Sequence, residues 1–231
     1  MKTIGLIGGM SWESSQLYYE LINKRVQSLL GGLHSAKSVM VSVDFNDIAK
    51  LQSKNDWDTL NRLMVKAAGQ LEHAGAEMIL VCANTMHLCS EEIIKNTSIS
   101  FVHIAKATGE IIKEKSLKKV ALLGTKFTME KDFYKDILTD DFGIEVLIPE
   151  RKERDLVHDI IYNELVLGKI IDASKEIYLK IINDLIARGA QGIILGCTEI
   201  PLLISDEDVS VPIFNTTKIH AEKAVQLALE E

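Results

Sequence analysis

Four consecutive residues, Gly196-Cys197-Thr198-Glu199, carry the clearest chemical signal in the chain. They follow a short apolar run, residues 192–195, and precede a segment read as a helix from Glu199 onward. A thiol between a buried strand and a helix start meets free backbone N–H groups and the positive end of a helix dipole. Both lower its pKa from about 8.5 toward neutrality. A thiol poised there can remove a proton as thiolate and return one as thiol, which is general acid/base chemistry. Thr198 adds a hydroxyl, and Glu199 a carboxylate suited to orienting an ammonium group. The same spacing also fits a small side chain that merely packs the strand end, because free cysteine is a common core residue.

The pattern has an internal counterpart. Gly75-Ala76-Glu77-Met78-Ile79-Leu80-Val81-Cys82-Ala83-Asn84-Thr85 aligns without a gap on the segment running from Gly189 to Glu199, 114 residues later. Residues 4–8 echo 120–124 at a spacing of 116, and residues 99–102 echo 209–212 at 110. Three short matches in one order and at nearly one spacing point to a duplicated unit. The counterpart of Cys197 is Ala83, which neither gives nor takes a proton. Cys82 stands beside it, but neighbours in a strand face opposite sides, so its thiol is expected in the core.

The elements that must position these tips are legible. Residues 3–7, 39–43, 78–82, 120–123, 145–148 and 192–195 read as short buried strands. Between them Trp57, Leu60, Leu63, Met64, Ala67, Ala68 and Leu71 fall at helical spacing, as do Ile177, Ile181, Ile182, Leu185 and Ile186. Strands alternating with helices imply βαβ units and a parallel sheet, with the ligand crevice at the carboxyl ends of the strands. The fold expected is α/β: two similar Rossmann-like lobes with mostly parallel sheets, duplicated about a pseudo-twofold, with a cleft between them. The first lobe is read as residues 1–98 plus 208–231, completed by the C-terminal helix, and the second as residues 99–207.

Bulk properties narrow the function classes. With 47% hydrophobic and 26% charged residues among 231, the chain is globular in composition. A net charge of −7 argues against a nucleic-acid partner, which would call for a basic patch. No run approaches the ~18 apolar residues of a membrane helix, and the N-terminal run is too short for a secretory signal. Three cysteines, Cys82, Cys89 and Cys197, are unlike a disulfide scaffold, so a cytoplasmic protein is expected. The glycines Gly8 and Gly9 form no Gly-x-Gly-x-x-Gly, which removes the usual argument for a dinucleotide. Cys82, His87, Cys89 and His103 match no paired-ligand spacing for zinc.

Met1-Lys2-Thr3-Ile4-Gly5-Leu6-Ile7-Gly8-Gly9-Met10-Ser11, Asn84-Thr85-Met86-His87, Gly124-Thr125 with Thr128, and Gly196-Cys197-Thr198-Glu199-Ile200 together resemble the aspartate/glutamate racemase family, along essentially the whole chain. The resemblance implies racemisation of an amino acid, aspartate or glutamate, with no pyridoxal, no metal and no other cofactor. One acid/base residue per lobe would serve each face of the α-carbon. Ala83 departs from that pattern and places the chain in a single-cysteine branch. The superfamily also holds single-cysteine decarboxylases, and an amino-acid binding protein without turnover would read alike. By the same resemblance Asn84, Thr85, Thr125 and Thr198 bind the α-carboxylate. Thr128 accompanies Thr125, Met10 lines the cleft, and the protein is a homodimer. Thr125 and Thr128 equally suit the N-cap of a helix over residues 129–138. No arginine occurs in Val43-Asp44-Phe45-Asn46-Asp47-Ile48 to hold an acidic side chain. Gln52, then Lys169, are the nearest polar candidates, each expected to face solvent.

Overall fold

Short apolar runs bounded by glycine and polar residues become strands here because helices cover both of their faces, as parallel sheets require. A computed structural model describes residues 1–230. The chain divides into a first unit, residues 1–103 joined by the segment from His220 onward, and a second unit, residues 104–219.

The first unit runs β1 (Ile4–Gly8), α1 (Trp12–Leu30), β2 (Ser38–Ser42), α2 (Phe45–Ser53), α3 (Trp57–His73), β3 (Met78–Val81), α4 (Ser90–Asn96) and β4 (Ser100–Phe101). Its four strands are parallel in the order β2-β1-β3-β4. Helix starts are set locally: the side chains of Ser11, Asp44 and Asp56 accept from Ser14, Asn46 and Thr59 backbone N–H groups. Strand alternation then sorts the core. Ile7, Ile79 and Val81 pack on Leu60, Met64, Ala68 and Leu71 of α3. Leu6, Leu80 and Cys82 face the other way, onto Tyr18, Ile22 and Val26 of α1 and Ala221, Ala224, Val225 and Ala228.

The second unit runs α5 (Ile104–Glu114), β5 (Lys119–Gly124), α6 (Lys126–Glu130), α7 (Asp132–Asp136), β6 (Glu145–Leu147), α8 (Arg151–Asn163), α9 (Asp172–Ala187), β7 (Ile193–Gly196) and β8 (Ile213–Asn215), then enters α10 (Thr216–Leu229). Its strands are parallel in the order β6-β5-β7-β8. Ala121, Leu123, Ile193 and Leu195 pack on Val157, Ile160 and Ile161 of α8 and Tyr178, Ile181, Ile182 and Leu185 of α9.

Strand register puts the two units on one plan. Gly5 pairs with Ile79, and Ala121 with Ile193, so the spacings of 116 and 114 persist in the sheets. On the fourth strand Phe101 pairs with Ile79 and Ile213 with Ile193. The true counterparts there lie 112 residues apart rather than 110, and residues 209–212 precede β8. These edge strands also locate the divisions. Because β4 pairs with β3 and β8 with β7, residues 99–103 fall in the first unit and residues 208–219 in the second, where the sequence reading divides the chain at 98/99 and 207/208. The equally short β6 is legible from Val146-Leu147-Ile148, whereas β4 and β8 are not among the strands read from the sequence. The helix read at 129–138 is instead two short pieces, α6 and α7, because Lys131 is extended at φ −79° and ψ 152°.

Gly9 fixes the turn after β1. Its φ is +89°, and a Cβ there would lie 2.1 Å from the Val43 carbonyl oxygen. The space at Gly8 is also filled, since its Cβ would meet the Ser15 side chain, with Oγ at 2.6 Å. Both glycines thus answer to packing within the unit. Gly9→Ala combines left-handed strain with a backbone clash and is expected to cost about 2–5 kcal/mol of stability, read from urea denaturation.

Candidate active site

In the second unit the two central strands end side by side, with Gly124 paired to Gly196. Neither tolerates a side chain: a Cβ on Gly124 would lie 2.8 Å from Gly196 O, and one on Gly196 would lie 2.9 Å from Leu123 O. The next residues are Thr125 and Cys197. Cys197 is buried, and its Sγ–H donates to Glu199 Oε2 at 3.0 Å. Thr198 Oγ1 donates to the same oxygen at 2.6 Å, and Glu199 is itself buried. Thr125 caps α6: its Oγ1 accepts from Thr128 N at 3.3 Å and lies 3.2 Å from Thr128 Oγ1. Cys197, Thr198, Glu199, Thr125 and Thr128 therefore sit at the carboxyl ends of β5 and β7, whereas Lys169 lies away from them before α9.

The thiol is not the lowered one that its position suggested. Burial pushes the Cys197 thiol well above its ordinary pKa, and the Glu199 carboxylate pushes it further. Backbone N–H groups of Glu199 and Ile200 act in the opposite sense but are outweighed. The expected helix from Glu199 is only a 3-10 turn, Ile200–Leu202, with Pro201 in its first turn, so no extended dipole assists. The arrangement is a thiol with a carboxylate in place to receive its proton. Sequence reading missed the aromatic wall beside it. Burial, with Cys197 and Glu199 adding, pushes the Tyr162 phenol up to about 12, and Tyr178 is likewise raised. The His158 ring lies tilted against Tyr162 with ring centroids 4.6 Å apart, and its Nδ1 accepts from Lys126 N. The i, i+4 spacing of His158 and Tyr162 was the available signal.

In the first unit β3 leads into Ala83, Asn84 and a 3-10 turn, Thr85–Cys89. Asn84 and Thr85 are buried. Ala83 packs against the apolar cluster that contains Met10 and Met86, and Gln52 Nε2 donates to Met86 Sδ at 3.2 Å. Met10, Met86 and Ala83 thus share one apolar cluster, and Gln52 bonds the Met86 thioether. Gln52 is only 5% exposed, which corrects its expected solvent-facing position: α2 turns it inward, whereas Lys169 is exposed. Cys82 lies on the opposite face, in the core, and burial raises its thiol. Cys89 lies on the Ala83 face, its thiol pushed up to about 12 by burial. No group of three or more His, Cys, Asp or Glu that could hold a metal occurs among the described residues. No described helix is long and apolar enough to cross a membrane.

Two parallel-sheet units of one plan, each with a polar tip after its third strand, define a duplicated α/β protein. A family model for Asp/Glu/Hydantoin racemases matches residues 7–224, and the chain belongs to that family. A crystal structure from Yersinia pestis, assigned to the Asp/Glu racemases, is 51% identical over all of both chains, with a TM-score of 0.94. An aspartate racemase homologue from Pyrococcus horikoshii OT3 is 36% identical, again over both full chains, with a TM-score of 0.85. Glutamate racemase from Hydrogenobaculum sp. is 27% identical over 195 residues, 80% of this chain and 73% of that one. Family and relatives together support an amino-acid racemase.

Burial holds two histidines of the first unit neutral, His87 at about 4 and His220 at about 3. Both lie below the unfolded value of about 6.5, so above that pH neither state gains a proton. As pH falls from 6.5 toward 4 the unfolded chain binds protons that the folded unit refuses, and stability drops. His87 alone accounts for a loss on the order of 3 kcal/mol, measurable by denaturant titration at successive pH values.

Proposed function

We propose that the protein racemises an amino acid of the aspartate or glutamate class without a cofactor, removing and returning the α-proton through Cys197. The observation that carries this reading is the buried Cys197 Sγ donating to the Glu199 carboxylate at the end of the central strands. Transfer of the thiol proton to Glu199 leaves a thiolate, and the thiolate takes the α-proton. The same steps reversed return a proton to the carbon. Thr125, Thr128 and Thr198 offer hydroxyl donors to the α-carboxylate beside the thiol, and Asn84 and Thr85 offer donors at the first unit's tip. Substrate class follows the relatives, one an aspartate racemase homologue and one a glutamate racemase.

Ala83 makes the two faces unequal. Cys197 serves one face, and water must serve the face that Ala83 leaves without an acid. Turnover is therefore slow and limited by that step, although any complete racemisation still ends at equal amounts of both enantiomers. Ala83 also favours one second reading, an amino-acid binding protein that does not turn its ligand over.

Incubation with L- and D-aspartate and glutamate in D2O, followed by NMR and chiral chromatography, separates the two. Racemisation gives α-proton exchange with inversion that falls at least about 10²-fold in Cys197→Ala while binding persists. Binding with no exchange by the unaltered protein establishes the second reading. Because the thiol is held high, exchange by the unaltered protein rises with pH above neutrality. Glu199→Gln removes the carboxylate that receives the thiol proton, so exchange near neutrality falls, while the lost negative charge moves the rise of the remaining exchange to lower pH.

A further inference from the structure

Behind the Ala83 tip the first unit buries three histidines that the proposed chemistry does not use. His87 and His220 are fully buried, and His103 is nearly so. Polar rings are costly inside a protein unless they are hydrogen-bonded, and these two are bonded in a defined order. The His87 ring lies with Nδ1 3.0 Å from the Ala83 carbonyl oxygen. A carbonyl only accepts, so the ring proton is on Nδ1. The His87 backbone N–H donates to the Asn84 carbonyl at 3.1 Å. One residue thus holds two successive carbonyls of the tip.

That ring is in turn held from three sides. Its centroid lies 4.8 Å from His103, 5.5 Å from His220 and 5.6 Å from Phe101, each tilted toward an edge-to-face arrangement. His220 Nε2 donates to Val102 O at 2.8 Å, so its Nδ1 accepts from the Tyr18 hydroxyl at 2.7 Å. Val102 N donates back to Ile79 O in β3 at 2.9 Å. Tyr18 of α1 and Val102 after β4 thus fix the His220 ring on α10, and that ring packs on His87.

We infer that His87 is a positioning residue, its Nδ1–H fixing the Ala83 carbonyl so that the Asn84 and Thr85 side chains are presented to substrate in a single orientation; this rests on the reading of that tip as part of the amino-acid site. With its proton committed to a carbonyl and no exposure to solvent, the ring acts through the tip and not on the substrate.

Two variants separate donor from ring. His87→Phe keeps a ring of similar size and leaves the Ala83 carbonyl without its donor. His87→Asn keeps a donor close to the Nδ1 position and loses the ring. The expected result is a KM raised roughly tenfold in the Phe variant, with kcat within about twofold, and a return toward the parent value in the Asn variant. Amide exchange at position 87 should quicken by a similar factor in the Phe variant only, while Ile79, Leu80 and Val81 stay protected. Equal KM values in all three proteins overturn the inference, as does loss of β3 protection in both variants, which marks a purely structural ring. An imidazole 15N spectrum that places the proton on Nε2 overturns it as well. If the unaltered protein exchanges no amino acid, the racemase reading fails, and the contrast in amide exchange between the two variants still decides the role of His87.

Discussion

A strand covered on both faces has no place for an unpaired polar side chain, and that constraint organises everything else in this protein. Every residue of β1, β3 and β7 is buried, and all but the first of β5. Chemistry is therefore excluded from the sheets and gathers where the strands stop. The paired glycines Gly124 and Gly196 bring two backbones close enough that Thr125 and Cys197 emerge as neighbours. In the first unit the same edge presents Ala83, Asn84 and Thr85, with Met10 and Met86 in the cluster that Ala83 packs against and Gln52 bonded to Met86.

Burial at those edges has opposite consequences for acids and bases, because it penalises whichever form is charged. It raises the Cys197 thiol and the Tyr162 phenol and lowers His87 and His220. In its resting state the second unit's tip holds a protonated thiol next to a carboxylate, and the first unit's tip rests on imidazoles that carry no charge. A neutral imidazole has one donor and one acceptor. That is why His220 can link Tyr18 to Val102 in a fixed sense and His87 can serve the Ala83 carbonyl.

Both units keep the same register, and their two tips carry different chemistry. Residues 83 and 197 occupy matched positions, yet only one bears a proton-carrying group. The supporting shells differ in kind too: thiol, carboxylate and phenols around residue 197, thioether, carboxamide and histidines around residue 83. The chain thus keeps the frame of the racemase family with a different residue at each matched tip.

Much of this was legible in the sequence, and what was not had a physical cause. Apolar runs ending in glycine or polar residues gave the central strands to within a residue or so, since burial on both faces leaves a pattern that needs no partner to read. The gapless match of 75–85 with 189–199 gave the equivalence of Ala83 and Cys197 for the same reason. Alternation alone sent Cys82 into the core. The edge strands β4 and β8 were not read as strands, because their pairing with β3 and β7 defines them, and the unit boundaries differ with them. Gln52 turned inward because of how α2 packs, which no local pattern encodes. Residue order determined that a thiol, a threonine and a carboxylate would share one strand end. Only the tertiary structure decided that the thiol would be buried against that carboxylate and held high, because desolvation depends on everything packed around a group and not on its neighbours in the chain.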